Sequence, residues 1–113
     1  MTDADKVQSF CTVRDWDQFH SPDQLAIGLA TESAELLALF RFKSPAQIQA
    51  LLHPGPHREK FCDELADIYF FLLRFAQRNQ IDLSEALITK LAKNELKYPL
   101  EKCKGKNLKY DEL

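Results

Sequence analysis

Four carboxylates with helical spacing are the residues of this chain best suited to chemistry. Glu32 and Glu35 lie in LATESAELLALF (29–40), and Glu64 and Asp67 lie in CDELADIYFFL (62–72). At about 100° per residue, Leu25, Leu29, Leu36, Leu39 and Phe40 form one apolar stripe. Glu32 falls in the middle of it and Glu35 at its edge, one turn further on. Glu64 and Asp67 repeat the pattern among Ile68, Phe71 and Phe75. A single E-x-x-E on a helix is ordinarily a solvated face. Two such pairs intruding on apolar stripes are different, because converging carboxylates repel unless they protonate or hold cations. Carboxylates without His or Cys suit hard divalent ions such as Mg²⁺, with Mn²⁺ as a substitute.

Other side chains break apolar patterns in the same way. In LSEALITKLAKNELKY (83–98), Leu83, Leu87, Lys90, Asn94 and Tyr98 share a face. Lys90 is either a phosphate donor or a stem packed on the core with its ammonium in water. WDQFH (16–20) gathers Trp16, Phe19 and His20 in a turn, where the tryptophan either stacks on a base or caps the core. Lys102, Lys104, Lys106 and Lys109 near the C-terminal end either close over phosphates or form a solvated end.

These groups must be positioned by helices. The 113 residues contain three glycines and five prolines, and the alternation of strands is missing. Ser21-Pro22-Asp23-Gln24 and Ser44-Pro45-Ala46-Gln47 match the capping-box pattern with proline at the first helical position, and Asp82 is a third cap. The expected helices run over about 4–14, 22–41, 45–52, 58–79 and 83–97. HPGPH (53–57) is a loop, and 100–113 has no helical period. The fold class is an all-α, four-helix-bundle-like single domain over 1–113, with a basic tail over about 100–113. The 58–79 helix is apolar on nearly every side, and Ile27, Ala34 and Ala38 form a second apolar face on 22–41. A homo-oligomer covers such faces economically.

Composition sets the class. With 45% hydrophobic and 28% charged residues and a net charge of −2, the chain is an ordinary globular one, with no general attraction to nucleic acid or membranes. Cys11, Cys62 and Cys103 are widely spaced, as reduced thiols of a cytoplasmic protein are. The polar start MTDADK predicts no signal peptide, and IYFFLL (68–73) is too short to span a bilayer.

The order WDQFHSP, ATESAELLALFRF, CDELADIYFFL, TKLAKNELKYP, KGKNLKY resembles the MazG-type all-α nucleotide pyrophosphohydrolases over about residues 10–113, most nearly their dCTP pyrophosphatase branch. The resemblance implies a four-helix bundle assembled as a homodimer or homotetramer. It also implies Mg²⁺-dependent hydrolysis of a nucleoside triphosphate, most nearly dCTP or a related dNTP, to the monophosphate and pyrophosphate, in nucleotide-pool housecleaning. By that resemblance Glu32, Glu35, Glu64 and Asp67 are the metal acids. Trp16 and His20 line the nucleotide pocket, and Lys90 and Asn94 lie near phosphates and sugar. Glu35 is the expected general base, with Lys90 and Lys109 steadying developing charge. Phe42 and Phe71 stand where relatives carry tryptophan and tyrosine, at positions that shape the base and sugar pocket. Those two departures weigh against strict dCTP selectivity.

Two alternatives have discriminators. A ferritin-like di-iron bundle uses Glu-x-x-His pairs, and neither Glu32 nor Glu64 is followed by histidine three residues on. The other is a non-catalytic helical metal-binding or protein-interaction module; as an interaction module that binds a partner through its surplus apolar faces, it predicts that Glu32→Ala and Glu64→Ala are neutral or stabilising.

Overall fold

The computed structural model describes all residues, 1–113, and is all-α, with no strand. Helix α1 spans Asp3–Thr12, α2 Pro22–Ala38, α3 Pro45–Leu52, α4 Glu59–Arg78, α5 Leu83–Lys97 and α6 Leu100–Cys103, with 3₁₀ turns at Asp17–Phe19, Pro56–Arg58 and Tyr110–Glu112. The chain divides into two compact units, 1–80 and 81–113.

In the first unit, α2 and α4 make the main packing, and α1 lies on α4. The pairing of α2 with α4 is antiparallel: Gly28 meets Phe71, and the rings of Phe40 and Phe61 are 5.4 Å apart. A side-chain carbon on residue 28 would collide with the Phe71 ring, so glycine sets how closely the helices approach. Leu25, Phe61, Ala76 and Cys11 are buried, and Leu29, Leu36, Leu39 and Phe40 are half-buried. The stripe expected on α2 is therefore the one that packs.

The start of α3 forms as its sequence pattern requires: the Ser44 hydroxyl accepts from Gln47 N, and Gln47 Oε1 accepts from Ser44 N. At Ser21 the matching pattern forms no side-chain cap, and Pro22 alone starts α2. A further capping box, Thr2 with Asp5, opens α1. Helix α2 ends at Ala38 rather than 41. From Leu39 to Arg41 the amides turn to carbonyls three residues back, and Phe42 takes a left-handed φ of 61°.

In the second unit, the Asp82 carboxylate accepts from Glu85 N and caps α5. Contrary to the expectation for 100–113, Pro99 launches the single turn α6 and a 3₁₀ turn follows at Tyr110. One turn is too short to leave a periodic signal. Apolar side chains remain uncovered in both units: Ile27 is 56% exposed on α2, Leu65 54% on α4 and Ile88 69% on α5.

Candidate metal centre and aromatic turn

The antiparallel pairing brings the middle of α2 against the N-terminal half of α4. Carboxylate oxygens of Glu32, Glu35 and Glu64 all lie within 4.8 Å of one another. Glu32 and Glu64 are half-buried and Glu35 is exposed, matching a residue within the stripe and one at its edge. Asp67, one turn after Glu64 and exposed, stands outside this triad, although its charge acts on both Glu32 and Glu64.

Glu32 Oε2 and Glu64 Oε2 are buried and accept no hydrogen bond from the protein. A proton shared with Glu35 pushes the Glu32 carboxyl up to about 7, and burial and the charges of Glu35, Asp67 and Glu64 add to it. Glu64 is raised first by burial and then by Glu35. No lysine or arginine stands within 4 Å of these acids. Only a proton or a cation can relieve such a cluster. The donor set is all carboxylate oxygen, which fits a hard divalent ion held by Glu32, Glu35 and Glu64.

At the other end of α4 the turn WDQFH is fixed by Arg74, which is 1% exposed. Its Nε donates to His20 Nδ1 (2.8 Å), its Nη1 to Gln77 Oε1 (2.7 Å) and its Nη2 to Asp17 Oδ1. Gln77 in turn donates to the carbonyl of Ala4 (2.7 Å), which ties α1 to the same network. With Nδ1 accepting, the neutral His20 ring carries its proton on Nε2. Burial, then the Arg74 and Arg78 charges, hold its pKa below the ordinary histidine value. The ring stands edge-on to Trp16, with centroids 6.1 Å apart, and Trp16 packs edge-on against Phe10 at 5.6 Å.

Arg74 and Asp17 were not among the residues marked by sequence. The available signal was a charged residue inside the apolar run IYFFLLRF, which reads equally as the end of that run. Phe71 is half-buried against Gly28, whereas Phe42 is 88% exposed with the Arg41 guanidinium 4.6 Å from its ring centre. Lys90, Asn94 and Lys109 belong to the second unit. Lys90 is exposed, Asn94 is half-buried four residues later on the same side of α5, and Lys109 Nζ lies 5.8 Å from the centre of the Tyr110 ring.

The MazG-like family matches residues 27–113. The chain is 36% identical to dCTP pyrophosphatase 1 of Mus musculus over 104 residues, and 34% identical to dCTP pyrophosphatase 1 of Homo sapiens. Each match covers 92% of this chain, which spans 61% of the length of these curated relatives. The crystal structure of a pyrophosphatase from Archaeoglobus fulgidus superposes with a TM-score of 0.77 at 32% identity, covering 84% of this chain and 87% of that one. The family match takes in all four acids and more than half of the residues, and so the chain belongs to the MazG-like family.

Proposed function

We propose that this protein is a Mg²⁺-dependent nucleoside triphosphate pyrophosphohydrolase, acting as one MazG-like domain over 1–113. Its substrate is dCTP or a related dNTP, which it converts to the monophosphate and pyrophosphate in nucleotide-pool housecleaning. The observation that carries this reading is the triad Glu32, Glu35 and Glu64, with two buried oxygens that no protein donor meets. Similarity to the dCTP pyrophosphatases supplies the substrate class, and the missing indole and phenol at Phe42 and Phe71 argue for a relaxed choice of base and sugar.

Glu32, Glu35 and Glu64, with Asp67 nearby, would hold Mg²⁺, and the ion would supply charge neutralisation for a triphosphate and a more acidic water. Glu35, the exposed member, can accept a proton from the attacking water. Glu32 and Glu64 hold their positions because the stripes around them pack. Trp16 offers a face for a nucleobase, and the Nε2–H of His20 is a donor fixed in tautomer by Arg74. Lys90, Asn94 and Lys109 are assigned to phosphate and sugar.

No helix is long and apolar enough to cross a membrane, and a cytoplasmic site suits the three free thiols. The uncovered faces of α2, α4 and α5 support a homodimer or homotetramer.

The test is pyrophosphate release from canonical dNTPs and NTPs with Mg²⁺ and with EDTA. Metal-dependent release that Glu64→Gln abolishes supports the reading. Activity intact in Glu64→Gln, or no release from any nucleotide, sinks it.

A further inference from the structure

A second site lies one helical turn from the acids. Between the C-terminal end of α2 and the N-terminal end of α4 is a hollow of about 290 Å³ whose polar walls are Arg41, Lys43, His57 and Lys60. No acidic residue lines it, and no carboxylate lies within 4 Å of any of the four. In a chain of net charge −2, grouping these side chains in one concavity without counter-charge is unfavourable unless an anion enters it.

The hollow is also in register with the triad. Lys60 precedes Glu64 by four residues and Leu39 follows Glu35 by four, so each stands on the acid-bearing side of its own helix, about 6 Å along it. Phe61, buried at 4% exposure, closes the floor. The left-handed Phe42 reverses the chain between Arg41 and Lys43, so both border one hollow. At this volume, the low end for ligand pockets, the hollow suits a small anion rather than a whole nucleotide.

We propose that this hollow is a phosphate-class anion subsite that takes pyrophosphate, either as the outer phosphates of a nucleotide or as the free anion. The nucleotide half of this statement rests on the hydrolase reading, whereas affinity for the free anion does not. Lys43 and Lys60 supply point charges, and Arg41 supplies a guanidinium able to grip two oxygens.

The experiment titrates inorganic pyrophosphate into the full chain in EDTA by calorimetry. It compares wild type with Lys43→Gln/Lys60→Gln and with Lys6→Gln/Lys93→Gln, which removes equal charge elsewhere. All four lysines are exposed, and circular dichroism checks that each variant folds. The expected result is binding weakened about tenfold or more in the first variant, or about 1.4 kcal/mol, and unchanged in the second. Mn²⁺ binding to the first variant, read by electron paramagnetic resonance, should match wild type. No binding to wild type, equal binding to the first variant, or equal loss in both variants overturns the subsite.

Nucleotide turnover separates the two proposals. A raised KM and weaker pyrophosphate inhibition in Lys43→Gln/Lys60→Gln support the subsite for bound nucleotide. Unchanged KM and inhibition overturn that half while leaving the hydrolase standing. Loss of pyrophosphate binding in this variant, with no turnover by wild type, supports the subsite for the free anion and overturns the hydrolase reading.

Discussion

Glu32 is held in a stripe that packs, next to two carboxylates and with one oxygen unmet. Its raised pKa fixes the sign of a pH effect. A carboxyl that titrates higher folded than unfolded contributes its stability below the unfolded value and loses it as pH rises through the folded one. Metal-free protein should therefore lose melting temperature between about pH 4.5 and about 7, and Glu32→Gln should flatten that decline. Thermal melts in EDTA at stepped pH decide it, and a wild-type profile as flat as the variant's would refute the crowding. Divalent-ion affinity runs the opposite way, strengthening as pH rises, because the ion displaces the shared proton. For turnover, Glu64→Gln should cost about 100-fold or more in kcat/KM, measured by pyrophosphate release. The triad was legible because spacing of three on a helix places acids on a known side. Arg74 was not, because Asp17 and His20 are 57 and 54 residues away and only the fold brings them to it.

Between elements, the approach of α2 to α4 depends on Gly28. Gly28→Ala should destabilise the fold by about 1–3 kcal/mol, since the Phe71 ring has to move, and urea denaturation measures this. Arg74→Met leaves His20 Nδ1 and Asp17 without their buried donor, at a cost of about 1.5–3 kcal/mol. The same variant should free the His20 tautomer, visible in nitrogen-15 spectra of the ring. Most helix boundaries were readable from caps and prolines. The end of α2 was not, because Leu39, Phe40 and Arg41 continue the helical pattern of side chains while their amides already bond three residues back. That early end lets the chain turn at Phe42, and so it made the basic hollow invisible in sequence as well.

At the scale of the whole molecule, every fully buried side chain belongs to residues 1–80, and 81–113 has none. A segment of that size without a core of its own cannot hold its helices in isolation. A peptide of residues 81–113 should show weak helicity by circular dichroism. The exposed apolar faces predict a dimer or larger in sedimentation, and Leu65→Lys should shift it toward monomer. The all-α class and the surplus of apolar faces were legible from composition and periodicity. What covers those faces depends on complementarity of shape, which no pattern along one chain encodes.

The single tryptophan of the chain sits edge-on between Phe10 and His20. Ultraviolet emission excited at the red edge therefore comes from one indole, with no background to subtract. A base stacked on Trp16 would quench that light directly. A nucleotide bound there as proposed would be readable in stopped flow without a label.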